Sequence, residues 1–244
     1  MRYAILGDIH SNLAALEAVL DVVDAEGIEA IVQVGDVVGY GAAPAEVIEV
    51  LRARQALVVK GNHDAACVGE LDSRLFNADA RAGVRYTTKQ LGRTDLRWLA
   101  DLPMTAHQEH FSLSHGTLDR PERFDYIQNT ADADPSLDVM DRPVCFVGHT
   151  HVPVTIMRLL DAPNRTSYTI ERTVDLSEST VALVNVGSVG QPRDEDPRAA
   201  YAIYDTETTR VEMRRVEYDI EREAARIIGA GLPKILADRL FLGF

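Results

Sequence analysis

Five short motifs hold most of the residues in this chain that could bind metal ions. Each joins glycine to aspartate, asparagine or histidine, and each follows a short apolar run typical of a β-strand. The motifs are Gly7-Asp8-Ile9-His10, Gly35-Asp36, Gly61-Asn62-His63-Asp64, His115-Gly116 and Gly148-His149-Thr150-His151. In an open α/β sheet, ligands bind beyond the carboxyl ends of the strands, where glycine lets the chain turn sharply. We therefore expect the motifs to converge on one crevice.

The residue types in these motifs indicate which metals the crevice would bind. Carboxylates, imidazoles and one amide, without a thiolate, suit Mn, Fe, Co, Ni or Zn better than Ca or Mg. The spacing of Asp8 and His10, repeated in His149 and His151, places both side chains on one face of an extended segment. Taken singly, each aspartate or histidine is more often a turn, cap or surface residue. Only the joint pattern favours metal binding, and its seven ligands suit two ions.

The motifs occur in an order that resembles a known family. GDIH, GDVVGYG, GNHD, SHG and GHTH, which span residues 7–151, resemble the blocks of the calcineurin-like metallophosphoesterase superfamily. The pattern is most similar to small bacterial and archaeal members, which include phosphodiesterases and dinucleoside-tetraphosphate hydrolases. The segment NVGSVGQPRD (185–194) resembles the turn that follows the last block. The resemblance implies an α/β fold, a four-layer α/β/β/α sandwich of two mixed sheets flanked by helices.

The resemblance also implies a role for each residue of the motifs. Asp8, His10 and His151 would bind one metal ion, Asn62, His115 and His149 the other, and Asp36 would bridge them. His63 would act as a catalytic residue beside the leaving group or the phosphate, supported by Asp64. Two ions about 3.5–4 Å apart would activate a water molecule to attack phosphorus. Manganese is the metal we expect to support activity best.

The sequence indicates the substrate-binding residues less clearly than the metal ligands. Each candidate has two possible interpretations. Asn62 and Tyr40 are candidates, Tyr40 being equally a packing residue. Arg193 could bind a phosphate or pair with an acidic neighbour, and pairing is the preferred interpretation. Residues 119–142 are polar without a clear period, which predicts a loop or a lid that brings Arg123 and Tyr126 over the metals. An ordinary surface loop is the preferred alternative.

Two other functions within the same family need consideration. Protein Ser/Thr phosphatases carry an arginine in the second block, as in GDxxDRG, whereas this chain has GDVVGYG, which makes that role unlikely. A non-catalytic scaffold or interaction protein is the main alternative. Such scaffolds tend to lose ligands or the catalytic histidine, and here all seven ligands and His63 are present. The sequence therefore favours a dimetal-dependent hydrolase of a small phosphodiester, nucleotide or dinucleoside polyphosphate.

The elements that must position these motifs follow from the hydrophobic pattern. Strands at 2–6, 30–34 and 56–60 alternate with amphipathic helices, which predicts parallel strands. Residues 63–101 are mainly helical, and strands follow at 111–114 and 144–147. Beyond residue 150, short strands joined by turns predict an antiparallel half, followed by a helix near 218–229. We expect one domain over residues 1–244.

Composition restricts the partners of the protein. The formal net charge of −13 would repel a long nucleic acid, whose binding depends on Lys and Arg contacts to phosphates. No segment has the pattern of a signal peptide or a membrane span, so we expect a cytoplasmic protein without a membrane partner. Cys67 and Cys145 lie in unrelated contexts and do not predict a disulfide. The sequence leaves the substrate, the native metal pair and the oligomeric state open.

Overall fold

The computed structural model describes residues 1–28 and 30–244, which form two mixed β-sheets with helices on their outer faces. Within these residues the strands are β1 (Arg2–Leu6), β2 (Ala30–Gln33), β3 (Leu57–Val58), β4 (Thr105–His107), β5 (Phe111–Ser114), β6 (Val144–Val147), β7 (Val154–Leu159), β8 (Ala162–Thr169), β9 (Thr173–Asp175), β10 (Ser179–Asn185), β11 (Ala199–Asp205) and β12 (Arg210–Val216). The helices are α1 (Leu13–Ala25), α2 (Pro44–Ala53), α3 (Asn62–Cys67), α4 (Ala78–Gln90), α5 (Arg93–Ala100), α6 (Thr130–Val139), α7 (Ile220–Gly229) and α8 (Lys234–Asp238).

The first sheet has the strand order β3-β2-β1-β11-β12-β9. β1, β2 and β3 run parallel to one another, as the sequence predicts. The other side of β1 pairs antiparallel with β11, with Leu6 opposite Tyr201. β1 is therefore a central strand whose two neighbours come from distant parts of the chain.

The second sheet has the order β4-β5-β6-β10-β7-β8. β5, β6 and β10 are parallel, so the carboxyl ends of β5 and β6 lie at one edge. The prediction of an antiparallel half beyond residue 150 is wrong for β10, which pairs parallel with β6 as well as antiparallel with β7. The period-2 pattern of β10 does not distinguish between the two kinds of partner.

Alternation along the strands explains why the sheets stack with helices outside. Ile5 of β1 and Phe146 of β6 point into one core that lies between the two sheets. Ala4 and Leu6, one residue either side of Ile5, pack instead against α1, for example against Leu16. Since side chains of a strand alternate between its faces, strands that are apolar on both faces need a layer on each side.

The outer face of the second sheet is covered in the same way. Cys145 and Val147 of β6 pack against Ala133 and Leu137 of α6. Full burial of such side chains stabilises the fold by about 1.5–3 kcal/mol for each large one. The layers are thus helix, sheet, sheet and helix, which confirms the predicted four-layer fold.

Helix α6 corrects the prediction for residues 119–142. The sequence predicts a loop or lid there, but the structure has a 3₁₀ turn at Pro121–Arg123 and a helix at Thr130–Val139. Asn129 caps this helix by accepting a hydrogen bond from the backbone N–H of Asp132. Pro135 inside the helix and the many acidic residues hide the helical period. The lid hypothesis is left with residues 119–129.

The starts of α1 and α2 carry residue types that are common at the beginning of helices. Asn12 caps α1, its side-chain oxygen accepting a hydrogen bond from the N–H of Ala15 at 3.0 Å. Pro44 opens α2, where its missing N–H costs nothing. Among the described residues, no helix is both long and apolar enough to cross a membrane.

Candidate metal centre

Loops at the carboxyl ends of parallel strands bring seven predicted ligands together. In chain order they are Asp8 and His10 after β1, Asp36 after β2, Asn62 after β3, His115 after β5, and His149 and His151 after β6. All seven side chains are buried, with no more than 9% of any of them exposed. Seven polar side chains buried in one place need partners that compensate for the loss of water.

The backbone of these loops is strained. Five of the seven residues have a left-handed conformation, namely Asp8 (φ 48°), His10 (φ 50°), Asp36 (φ 56°), His149 (φ 70°) and His151 (φ 64°). Each costs about 1–2 kcal/mol relative to an ordinary conformation. Strain of this kind persists only where the surrounding structure enforces it, and it clusters at functional sites.

The first group of ligand atoms comes from Asp8, His10, Asp36 and His151, and these atoms lie within 4.8 Å of one another. Nε2 of His10 is 3.1 Å from Nε2 of His151 and 3.5 Å from Oδ2 of Asp36. Nε2 of His151 is 3.3 Å from Oδ1 of Asp8. One ion could therefore contact all four side chains.

Asp36 also belongs to the second group, with His115 and His149. Nε2 of His115 is 3.4 Å from Oδ2 of Asp36 and 3.0 Å from Nδ1 of His149. The side-chain oxygen of Asn62 is 3.0 Å from the same Nε2 atom. Oδ2 of Asp36 thus faces both groups, as a bridging ligand would.

Hydrogen bonds on the far sides of the rings fix where the lone pairs point. Nδ1 of His10 donates to the carbonyl oxygen of Val38 at 3.0 Å, and Nδ1 of His151 donates to that of Gln191 at 2.6 Å. A neutral imidazole carries one N–H, so both Nε2 atoms are acceptors. Two acceptors 3.1 Å apart cannot bond to each other, but both can bind one cation.

The His115 ring is held in a similar way, because its Nδ1 donates to the carbonyl oxygen of Val34 at 2.9 Å. Its Nε2 then faces the Asp36 carboxylate, the Asn62 amide oxygen and a ring nitrogen of His149. A cation is the partner that satisfies all of these atoms at once. The two buried Asp/His groups, joined at Asp36, suggest a binuclear metal site.

Burial keeps three of the histidines in the form that binds metals. It lowers the pKa of His10, His149 and His151 well below 6.5, because a charged imidazole is disfavoured away from water. These rings are therefore neutral at physiological pH. A neutral imidazole is the ligating form, so no proton has to be displaced from them when a metal binds.

Asp36 and His115 show that the centre favours positive charge. Burial alone would raise the pKa of Asp36, but the imidazoles of His115, His63 and His10 together hold the pKa well below its usual range. Burial opposes a charge on His115, yet the Asp36 carboxylate raises the pKa of His115 to about 9. Burial also raises the pKa of Asp8 to about 6. The proton that His115 attracts marks a position where a cation would be stabilised.

Two glycines let the backbone approach the carboxylates. A Cβ atom at Gly61 would lie 2.1 Å from Oδ1 of Asp36, and one at Gly148 would lie 2.2 Å from Oδ2 of Asp8. Both distances are far below any real Cβ contact, so larger residues would displace the acids. Gly61 and Gly148 therefore leave the space that the carboxylates of Asp36 and Asp8 occupy. The sequence predicts only that glycine allows a sharp turn at these positions.

Asp64 supports the loop that carries Asp36. Its carboxylate accepts hydrogen bonds from the backbone N–H groups of Val37 (3.3 Å), Val38 (3.1 Å) and Gly61 (2.9 Å). Burial raises its pKa to about 7, and these amides act in the opposite direction. Among the described residues, the Asp64 carboxylate makes no hydrogen bond to His63. Asp64 is thus a positioning residue.

His63 lies beside the predicted ligands without belonging to either group. Its ring packs between His10 (centroids 4.8 Å apart), Tyr40 (4.5 Å) and Phe76 (4.9 Å). Its buried Nδ1 has no hydrogen-bond partner among the described residues. Burial lowers its pKa to about 4. Phe76, which forms one wall of this aromatic pocket, gives no signal in the sequence.

The segment that follows β10 holds the loop of Asp8 in place through hydrogen bonds. The Ser188 hydroxyl donates to the carbonyl oxygen of Asp8 at 2.7 Å, and the N–H of Gly190 donates to the same oxygen at 3.1 Å. Gln191 holds His151, as described above. The sequence NVGSVGQPRD predicts a turn but no role for Ser188 or Gln191, for which the small residues of the segment are the only signal.

Tyr126 lies against the centre. Its ring stacks on that of His149, with centroids 3.8 Å apart and an angle of 18° between the planes, and it is 49% exposed. The structure thus brings Tyr126 to His149, one of the predicted ligands; whether it contacts a substrate stays a prediction. Tyr40 is buried against His10 and His63, which supports packing as its main role.

Arg123 and Arg193 differ in whether an acidic residue neutralises them. Arg123 pairs with Asp125 at 3.1 Å at the protein surface. The preferred pairing of Arg193 with an acid is wrong, because Arg193 donates to Gln191 (3.0 Å) and Tyr40 (3.4 Å). Its neighbour Asp194 pairs instead with Arg215 of β12. Arg193 is therefore available to an anionic ligand.

Comparison with known families gives a match over most of the chain. The model of the "Calcineurin-like phosphoesterase superfamily domain" matches residues 1–209. That range includes all seven predicted ligands and His63. The motifs that carry the resemblance in the sequence are thus the same residues that the structure gathers at the centre.

Individual relatives match over nearly their whole length. The chain is 36% identical to protein MJ0912 of Methanocaldococcus jannaschii, over 98% of this chain and 97% of the relative. It is 27% identical to the phosphodiesterase YfcE of Escherichia coli, over 86% and 91% of the two chains. It is also 39% identical to a metallophosphoesterase of Sphaerobacter thermophilus of known crystal structure, with a TM-score of 0.87 and complete coverage of both chains.

Proposed function

We propose that this chain, which belongs to the calcineurin-like phosphoesterase superfamily, hydrolyses a small phosphodiester with two divalent metal ions. Its membership makes it a metallophosphoesterase by homology. The observation that carries the rest is the pair of buried Asp/His groups that share Asp36. Their converging lone pairs are compatible with a cation in each group.

The proposal assigns the ligands as the family resemblance implies. One ion would be held by Asp8, His10 and His151, the other by Asn62, His115 and His149, and both by Asp36. The oxygen and nitrogen ligands without a thiolate favour first-row transition metals, and we propose manganese as the activating one among Mn, Fe, Co, Ni and Zn. When bound, the ions would supply Lewis-acid stabilisation of charge and a water molecule of lowered pKa.

The protein groups would orient the diester and protonate its leaving oxygen. His63, beside Asn62 at the start of α3, would donate that proton. Burial lowers the pKa of His63, so the negative charge of the phosphate is needed to favour its charged form. Asp64 would keep the Asp36 loop in place through three backbone amides. Arg193 would bind a non-bridging oxygen of the phosphate.

Three considerations support a small diester as the substrate. The relative YfcE is named a phosphodiesterase. The net charge of −13 opposes a long polyanion. The second motif lacks the arginine of the protein phosphatases, and Tyr40 lies in that motif instead. Nucleotides and dinucleoside polyphosphates are the alternative small substrates, and a non-catalytic metal-binding scaffold is the alternative of a different class.

The test combines metal content with activity. The protein is stripped with EDTA, reloaded with Mn²⁺ and assayed on bis(p-nitrophenyl) phosphate, with the metal counted by mass spectrometry. We expect two ions per chain and turnover that depends on them. Asp36→Asn should lose at least one ion and most activity, because the bridging charge is removed while the side-chain oxygen that binds the N–H of His63 is kept.

The matched control is Asp161→Asn, which removes the charge of an exposed carboxylate in the turn between β7 and β8. It should keep both ions and the activity of the parent protein. Two bound ions without hydrolysis of any phosphomonoester, diester or dinucleoside polyphosphate would support the scaffold instead. A chain that binds no divalent metal would overturn both.

A further inference from the structure

Two clefts share Tyr126, whose ring stacks on that of His149 in the metal centre. The smaller, of about 300 Å³, is lined by Asn62, His63 and Phe76. The larger, of about 790 Å³, is lined by Arg193 and by Thr150, which stands in the chain between the proposed ligands His149 and His151. Tyr126 lines both clefts. A phosphorus atom at the centre could therefore carry one ester group into each cleft.

One wall of the larger cleft is apolar and faces solvent. Ile127 and Ile156 form its buried part, and Val152, Tyr168 and Ile170 form its rim. Tyr168 is 67% exposed and Ile170 is 80% exposed. Large apolar side chains grouped around a concave surface mark a binding site more often than isolated ones do. The wall therefore suits an apolar group of considerable size.

Charge in this cleft comes from a single residue among those described. Among its described lining residues, Arg193 alone is charged. Its guanidinium lies over the Tyr40 ring, 5.8 Å from the centroid, and its buried Nε atom has no partner among the described residues. One phosphate at the centre would satisfy Arg193. A chain of further phosphates would find no second cation there.

We propose that the substrate is a phosphodiester with one bulky, mainly apolar ester group, which binds in the larger cleft and stays on phosphorus. This inference depends on the proposed function. The other ester oxygen would lie in the smaller cleft, beside His63. Water adds its oxygen to phosphorus, the bond from phosphorus to that ester oxygen breaks, and the oxygen takes its electron pair and a proton from His63. The products are the apolar phosphomonoester and a free alcohol, and the proton lost by water replaces that of His63.

The test compares two diesters with the same leaving group and similar reactivity. They are methyl p-nitrophenyl phosphate and 3-phenylpropyl p-nitrophenyl phosphate, and release of p-nitrophenolate is measured. Burial of the phenylpropyl group should raise kcat/KM by about tenfold or more over the methyl compound. Binding of the product, 3-phenylpropyl phosphate, is measured separately by calorimetry and compared with methyl phosphate.

Variants of the rim locate the effect. Ile170→Asp, and Tyr168→Ser as a second variant, should each remove most of the tenfold preference and weaken binding of 3-phenylpropyl phosphate. Leu160→Asp is the matched control, since Leu160 is also an exposed apolar residue (58%) and lies at the β7–β8 turn, but does not line the cleft. It should keep the preference and the binding.

The outcomes separate the two proposals. Hydrolysis of both diesters with equal kcat/KM, or a preference that Ile170→Asp leaves unchanged, would overturn the cleft inference and leave the proposed function intact. Hydrolysis of neither would overturn the proposed function. In that case calorimetry decides on the cleft: binding that Ile170→Asp weakens and Leu160→Asp does not would support it, and equal binding by all proteins would overturn it.

Discussion

Gly148→Ala tests the geometry of the metal centre with a single methyl group. The new Cβ atom would lie 2.2 Å from Oδ2 of Asp8 and 3.2 Å from Cγ2 of Val34. Gly148 does not have a left-handed backbone, so alanine meets no conformational penalty of its own. The side chain of Asp8 is fully buried and both its oxygens accept hydrogen bonds from the N–H of His149. The conflict therefore falls on a proposed ligand.

The size of the effect follows from the contact. Since Cβ atoms essentially never approach closer than 3.0 Å, the carboxylate must move by about 0.8 Å. Metal–ligand distances tolerate only about 0.2 Å, and a misplacement of about 1 Å can cost about 10²-fold in rate. Extra volume in a packed interior also destabilises by about 1–3 kcal/mol. At about 2–4 °C per kcal/mol for a chain of this length, Tm should fall by about 2–12 °C.

The assay is metal content after reloading with Mn²⁺, together with kcat/KM on bis(p-nitrophenyl) phosphate and Tm. We expect Gly148→Ala to bind fewer than two ions and to lose about 10²-fold in kcat/KM. Gly229→Ala is the control, because a Cβ there meets nothing within 4 Å. It should keep both ions and be neutral or slightly stabilised at the end of α7. Two tightly bound ions and unchanged kcat/KM in Gly148→Ala would refute the assignment of Asp8 as a ligand.

The remaining predictions concern His63 and the two thiols. His63→Ala should keep both ions and lose about 10²–10⁴-fold in kcat on diesters with poor leaving groups, with a smaller loss when p-nitrophenolate leaves; loss of metal would instead make His63 a ligand. Burial raises the pKa of Cys145 to about 12 and that of Cys67 well above its ordinary value, so both thiols should be neutral at pH 8. A thiol reagent such as DTNB should then label neither in the folded protein and both in denaturant. Rapid labelling of the native protein would show that one of them is accessible.

The proposed ligands could be identified in the sequence because their signal is local. A glycine, a carboxylate or imidazole, and the end of an apolar strand stand within four residues of one another in GDIH and GNHD. The topology then brings these motifs together, because the carboxyl ends of parallel strands lie at the same edge of a sheet. The left-handed backbone of Asp8 or His10 could not be read in this way, because neighbouring loops, rather than residue type, enforce it.

The surroundings of the centre could not be predicted, because they depend on contacts between distant segments. Tyr126 stacks on His149 because a 3₁₀ turn and α6 place it there, and the polar sequence around it has no period. Arg193 stands next to acidic residues in the chain, which made pairing plausible. In the fold, Arg215 from a neighbouring strand reaches Asp194 instead. Sequence proximity thus gave the wrong partner where tertiary packing decided.

The position of β1 between β2 and β11 has a consequence for how the protein is made. About 190 residues separate β1 from β11, and at about 5–20 residues per second a ribosome needs about 10–40 seconds to synthesise them. Throughout that interval one edge of β1 lacks its partner, and an unpaired edge strand invites association with other chains. The loop at Asp8 also lacks the hydrogen bonds from Val189 and Gly190 that hold it. Metal loading should therefore follow release of the chain, and chaperone binding should matter most before β11 has emerged.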